Sequence, residues 1–186
     1  MHYMRLVILG GTGSGKGTQT NKISNNFAIP NISIGEILRL GIAHESDLGK
    51  EAKPYVEKGE LVPDRLMIQF IKQRLLKQDV ADGWILEGYP RTAFQAEELD
   101  FLLKQLKQKL DWAIYLKVSE SVMQERALKR GLTDDTADVV QRRIQNFQKF
   151  TVPILEYYQY SDRLLTINGE QSAEAVAKEI AKYLKS

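Results

Sequence analysis

The chain has 186 residues, 26 Lys+Arg against 24 Asp+Glu, and 43% hydrophobic residues, figures that fit one soluble globular domain with a sizeable core. Its net charge of +2 excludes a polybasic arm or acidic tail, so any anion must be held by cations focused at a site. With no cysteine and only His2 and His44 as histidines, disulfides, iron–sulfur clusters, thiolate zinc sites, cysteine nucleophiles and His-built metal centres are excluded.

Arg5-Leu6-Val7-Ile8-Leu9 reads as a short buried strand ended by Gly10-Gly11. Leu6–Leu9, the longest aliphatic run, is too short to span a bilayer and has neither a cationic lead nor a small-residue cleavage site, so a cytoplasmic location is expected. A polar helix opens after Gly15 with Ile23 and Phe27 on its inner stripe. Pro30 closes it, and Asn31-Ile32-Ser33 is a second short strand. From Ile34 to Lys58 the period is helical, broken at Gly41, with Pro54 near a helix start. Gly59-Glu60-Leu61-Val62-Pro63 is a loop, after which Asp64 suits the N-cap of a helix carrying Met67, Ile68, Ile71 and Leu75 inward.

Trp84-Ile85-Leu86 is the third strand, stopped by Gly88 and Pro90, and Thr92 to Lys109 is helical with Leu99, Leu102, Leu103 and Leu106 at core spacing. Trp112–Leu116 and Leu164–Ile167 are the fourth and fifth strands. Between them lie a helix from Ser119 to Arg130 and a long one from about Asp134 to Tyr160, kinked by Pro153; Ser172 to Leu184 closes the chain as a helix. Strands separated by helices require crossover connections. An α/β, three-layer P-loop fold is therefore expected, with a five-stranded parallel sheet covered by helices on both faces. Residues 1–186 read as one domain, in which the stretch 33–62 is an excursion between strands able to move as a subunit.

Gly10-Gly11-Thr12-Gly13-Ser14-Gly15-Lys16 stands between the first strand and the first helix. Glycines there let backbone N–H groups converge on an anion, the helix N-terminus adds its dipole, and Lys16 adds a point charge for β- and γ-phosphates. The dinucleotide fingerprint G-x-G-x-x-G fails at its third glycine. The general P-loop places Ser or Thr straight after its lysine as a magnesium ligand, whereas Gly17 stands here, followed by Thr18. No direct protein ligand for Mg²⁺ is expected; the ion would be held through water and nucleotide, with Glu87 ordering the waters.

The Gly-x-Gly-Lys-Gly-Thr loop resembles that of the adenylate kinase family of nucleoside monophosphate kinases, and the resemblance covers nearly the whole chain. Ile32–Arg39 and Lys58–Val62 are similar to the start and end of the family's monophosphate-binding segment. Gly83–Arg91 resembles the strand and loop holding the monophosphate, while Asp134-Asp135, Arg142-Arg143 and Thr151-x-Pro153 resemble the far side of the lid. What this implies is reversible, Mg²⁺-dependent transfer of the γ-phosphoryl group of ATP to AMP, giving two ADP. ATP, AMP and ADP would be the partners of a monomer that binds neither nucleic acid nor membrane.

By the same resemblance, Lys16, Arg91, Arg130 and Arg143 are the catalytic residues. ATP would lie on Gly13, Ser14, Gly15, Lys16, Gly17 and Thr18, with Arg126 on the adenine, Arg130 on the phosphates and Gln171 touching the base through its backbone. AMP would lie among Ile34, Arg39, Glu60, Leu61, Val62, Gly88, Tyr89, Pro90 and Arg91. Forked guanidinium donors suit a phosphate better than an ammonium does, and an amide such as that of Gln95 matches adenine N6 and N7. Arg143 would reach the phosphates between the two nucleotides, while Arg142 points about 100° away on the same helix. Tyr157, Tyr158 and Tyr160 read as core packing or a surface ridge rather than a base-stacking platform, Met67 and Met123 as core filler, and His44 as a surface residue.

The sequence departs from the family at Ile34, usually Thr, and at Glu36 and Glu87, usually Asp. Only Gly131-Leu132-Thr133 separate Arg130 from Asp134, a very short lid over 130–136 that resembles the short-lid branch. Leu132 stands where relatives place another arginine. Loss of one such cation typically costs about 10²- to 10³-fold in rate, so turnover below that of relatives is expected, unless Arg130 or Arg142 takes the missing place. Two rival readings stay open: a kinase for UMP or CMP, and a catalytically weakened nucleotide-binding module.

Overall fold

Four aliphatic residues in succession need cover on both faces of their strand, and Leu6–Leu9 have it, being at most 3% exposed. The computed structural model describes residues 4–132 and 135–185. Strand β1 (Met4–Leu9) lies between β3 (Gly83–Glu87) and β4 (Trp112–Lys117), with β2 (Asn31–Ser33) outside β3 and β5 (Leu164–Asn168) outside β4. Among the described residues this gives the order β2-β3-β1-β4-β5, every pair parallel.

Because side chains alternate along a strand, β1 feeds two cores. Val7 and Leu9 join Trp84, Leu86 and Ala113 on one face, packed by α4 (Asp64–Leu75) and α5 (Ala93–Gln105). Leu6 and Ile8 join Ile85, Ile114 and Ile167 on the other, against Ile23 of α1 (Lys16–Phe27) and Val176 and Ile180 of α9 (Ala173–Leu184). A smaller cluster locks α6 (Glu120–Arg130) to α7 (Ala137–Asn146) through Met123, Ala127, Val140 and Ile144, with Phe147. The α/β expectation therefore holds, as does the core role of Met67 and Met123. Among the described residues no helix is long and apolar enough to cross a membrane.

Several boundaries differ from the sequence reading, each for a local reason. The helical period after Ile34 divides into α2 (Ile34–Ala43) and α3 (Asp47–Glu57) beyond His44, not at Gly41. Ser46 makes the break: it caps α3 by accepting from Gly49 N at 3.1 Å, and its own N and Oγ donate to Gly41 O at 3.0 and 3.1 Å. Gly41 stays helical, and Pro54 lies inside α3 rather than at its start. Pro63, not Asp64, is the N-cap of α4, because the Asp64 carboxylate is engaged by Gln95. Helix α5 ends before Lys109, at Gln105, where Lys107 turns to φ 56° and Gln108 N donates to Leu103 O at 2.8 Å. The expected long helix is three pieces: α7, a π-helical turn over Phe147–Thr151, and α8 (Ile154–Tyr160), which Pro153 starts rather than kinks. Its proposed beginning at Asp134, like Thr133 and His2, lies outside the described residues.

The 33–62 excursion is not a separate layer: Ile34, Leu38, Ala52 and Val62 are buried in the same cluster as Val7 and Trp84. Its two helices meet at glycines, for a Cβ on Gly49 would run into the Gly41 carbonyl. In an open helix Gly→Ala gains about 1 kcal/mol. Here the overlap opposes that gain, and Gly49→Ala is expected to lower stability by about 1–3 kcal/mol in urea unfolding, while Lys50→Ala at the exposed neighbouring position stays within about 0.5 kcal/mol.

Candidate functional site

Strand β1 delivers the glycine loop to the N-terminus of α1. Gly13 and Gly15 have φ of 79° and 93°, left-handed values that side chains resist. Gly15 N-caps α1 without a side-chain bond, so the first-turn N–H groups are available to an anion. A Cβ on Gly13 would strike the Met123 carbonyl, so the loop lies hard against α6. The Lys16 ammonium is folded back on this loop, donating to Gly10 O at 2.7 Å and Gly11 O at 2.8 Å. Burial lowers its pKa to about 8, opposed by Glu87 and assisted by Arg91 and Arg130.

A cleft of about 210 Å³ opens on one side of the loop. Five cations from five elements line it: Lys16 of α1, Arg39 of α2, Arg91 after β3, Arg130 at the end of α6 and Arg143 of α7, with Glu60 and Glu87 as carboxylates. Arg91 donates through Nε to Gly88 O at 2.9 Å, its backbone N donates to Gln95 Oε1 at 2.7 Å, and its carbonyl accepts from Thr151 Oγ1 at 2.8 Å. Burial, with Arg143 nearby, holds its pKa below the ordinary guanidinium value, Glu87 opposing. Arg130 and Arg143 converge on Asp135: Arg130 Nε and Nη2 donate at 2.9 and 3.0 Å and Arg143 Nη1 at 3.0 Å, to a carboxylate with no exposed surface. Arg142 lies off the cleft lining and donates through Nη1 to Lys58 O at 2.6 Å, beside Asn146 Nδ2 on Gly59 O at 3.1 Å. Helix α7 thus grips the loop that leaves α3.

On the loop's other side a hollow of about 220 Å³ is lined by Ser14, Gly15, Thr18, Arg126 and Gln171, with Gln19, Gly169, Ala173 and Val176. Arg126 Nη1 donates to Gly169 O at 2.9 Å. Gln171 spends its side chain on Asn168 O and Glu179. Arg126 and Arg130, one turn apart on α6, therefore serve opposite sides of the same loop.

The structure gathers most of the residues singled out from the sequence. Glu60, Leu61, Val62, Gly88, Tyr89 and Pro90 line the large cleft with the five cations. Ile34, Gln95, Gly13 and Gly17 line neither hollow. Ile34 is buried in the core, and Gln95 is 2% exposed, with Nε2 on Asp64 Oδ1 at 2.6 Å and Oε1 on the Arg91 N–H. Asn146, Thr12 and a role for Thr151 escaped sequence reasoning; Thr151-x-Pro153 was the signal for the last of these. Tyr158 is buried and Tyr160 is 91% exposed, as core packing or a surface ridge implies, and His44 is exposed as expected.

Among the described residues no group of three or more His, Cys, Asp or Glu is placed to hold a metal. The Glu87 carboxylate stands beside the loop, 3.4 Å from Thr20 Oγ1 and facing Gly17. That donor set fits Mg²⁺ carried by waters and phosphates with one carboxylate in support, and not an all-protein cage.

A family model described as "Adenylate kinase" matches residues 8–163. Adenylate kinase 2 of Nostoc sp. strain PCC 7120 is 62% identical over 97% of this chain and 98% of its own length. Adenylate kinase 2 of Synechocystis sp. strain PCC 6803 is 56% identical over 97% and 100%, and adenylate kinase of Bifidobacterium longum 40% over 98% and 100%.

Since Lys16 sheds its proton above about pH 8 and phosphates favour its charged form, a nucleoside triphosphate should bind with proton uptake above that pH. Its affinity should fall there by up to about tenfold per pH unit. Calorimetry in buffers of different ionisation enthalpy reads both effects. In Lys16→Arg, whose charge persists beyond about pH 12, the uptake disappears; uptake surviving in that variant would assign it to another group.

Proposed function

The chain belongs to the adenylate kinase family, and from that membership we propose that it transfers the γ-phosphoryl group of ATP reversibly to AMP, giving two ADP. The observation that carries this reading is the convergence of Lys16, Arg39, Arg91, Arg130 and Arg143 on one cleft. One triphosphate on a glycine loop does not call for cations from five elements; two nucleotides meeting phosphate to phosphate do.

In this reading ATP lies along the glycine loop with its base toward Arg126 and Gln171, and its phosphates toward the α1 N-terminus. Lys16 exchanges the Gly10 and Gly11 carbonyls for phosphate oxygens. Arg39 and Arg91 clamp the AMP phosphate, and Arg143 with Arg130 faces the group in transit. The acceptor oxygen is already ionised near pH 7, the second phosphate pKa being about 6, so no general base is needed. Positioning and charge neutralisation do the chemistry. Mg²⁺ bound with ATP would add charge neutralisation at the β- and γ-phosphates, its waters ordered by Glu87. After its bonds to Asp64 and the Arg91 N–H, the Gln95 amide retains one N–H and one lone pair, a match for adenine N6 and N7. Segment 33–62 acts as the acceptor-nucleotide segment and 130–136 as the short lid, together excluding water during transfer. The protein is taken to work as a cytoplasmic monomer, and its near-balanced charge accords with a function that involves no nucleic acid.

The test is ADP formation from ATP with AMP, CMP, UMP or GMP as acceptor. AMP is expected to be preferred, and ATP binding without ADP formation would leave only a nucleotide-binding module. Leu132, 39% exposed on the cleft, brings no charge to it. Turnover of Leu132→Arg is expected to rise, by at most about 10²- to 10³-fold; equal turnover would show that the missing cation does not limit the rate.

A further inference from the structure

Arg91 sits in the connection between β3 and α5, where neither a strand ladder nor a helix fixes the backbone. Side chains fix it instead. The Gln95 amide, held by Asp64, takes the Arg91 N–H, and the Thr151 hydroxyl takes the Arg91 carbonyl. The Arg91 Nε donates to Gly88 O and the residue lines the cleft. The need for such bracing is electrostatic. Arg91 is half-buried near Arg143, and two like charges in a cleft repel until an anion joins them. An arginine on an unsecured loop would swing toward solvent.

From this geometry we propose that Thr151 is a positioning residue for the acceptor phosphate, acting through the Arg91 backbone. Thr151 is 7% exposed and ends the π-helical turn over Phe147–Thr151. The wider turn changes the phase of the residues after it. Arg143, earlier on the same run, lines the cleft and in the reading above faces the phosphates, while the Thr151 hydroxyl meets Arg91 O. One helical run therefore carries one phosphate-facing arginine directly and braces a second. A hydroxyl is required because the site needs a donor, and a side chain of equal volume without one takes that donor from the part-buried Arg91 carbonyl.

The proposal rests on the reading of Arg91 as acceptor-phosphate ligand, and the experiment separates the two. In steady-state kinetics Thr151→Val should raise the KM for AMP about tenfold while the KM for ATP stays within about twofold, and Thr151→Ser should restore the AMP value. In an Arg91→Ala background Thr151→Val should add nothing further to the AMP KM, the coupling expected of residues that act through one another. Should Thr151→Val fail to fold, Thr151→Ala, which also lacks a side-chain donor, is read in the same way. Equal rises in both KM values, an AMP defect that serine does not rescue, or a full Thr151→Val effect without Arg91 overturns the proposal. If Arg91→Ala raises the AMP KM and Thr151→Val leaves it unchanged, the brace alone is wrong. If Arg91→Ala itself leaves the AMP KM unchanged, the reading beneath falls with it.

Discussion

Holding like charges together before any anion arrives is the constraint around which this molecule is built. A cleft that collects Lys16, Arg39, Arg91, Arg130 and Arg143 would, in flexible surroundings, relax by pointing its arginines into water. Each restraint counters that tendency differently. Asp135 bridges a pair of guanidinium groups and offsets part of their charge, Lys16 is anchored on carbonyls of its own loop, and Arg91 is pinned through its backbone. The parallel sheet supplies the stiff platform, since β1 and β3 deliver the glycine loop and the Arg91 loop from adjacent strand ends. The cost falls on the free protein, where burial destabilises the Lys16 and Arg91 charges. Phosphates relieve it, so part of the binding free energy is stored in advance as unfavourable electrostatics.

Much of this was legible in the sequence because the relevant signals are short-range. Leu6–Leu9 followed by glycines announces a buried strand and a loop at its end, and Gly15-Lys16 announces the helix after it. Alternating strands and helices then dictate a parallel sheet. The arginines could be named because each sits in a motif whose local geometry is stereotyped. Resemblance supplied their roles; position in the fold supplied their convergence.

What escaped was decided at long range or by competition for one side chain. Asp64 has the residue type and place of an N-cap, yet its carboxylate serves Gln95 on another helix, and no local rule weighs those partners. Gln95 was read as reaching for a base, whereas its amide also secures Arg91. Pro153 was expected to bend a continuous helix. The chain widens into a π turn ahead of it, and Thr151, the last residue of that turn, donates to Arg91 O. The break beyond His44 depends on Ser46 finding Gly41, five residues back, a tertiary-like contact inside what looked like one helical period.

The grip of α7 on the segment leaving α3 has an evolutionary consequence. Arg142 and Asn146 hold Lys58 and Gly59 by their main-chain carbonyls, groups that every amino acid possesses. Sequence drift at position 58 is therefore invisible to the contact, whereas drift at 142 or 146 rewrites it. The inheritance of that docking is lopsided: Gly59 is tied to its own left-handed backbone, but the side chain at 58 is free to vary across descendants, and 142 and 146 carry the memory of how the two segments fit.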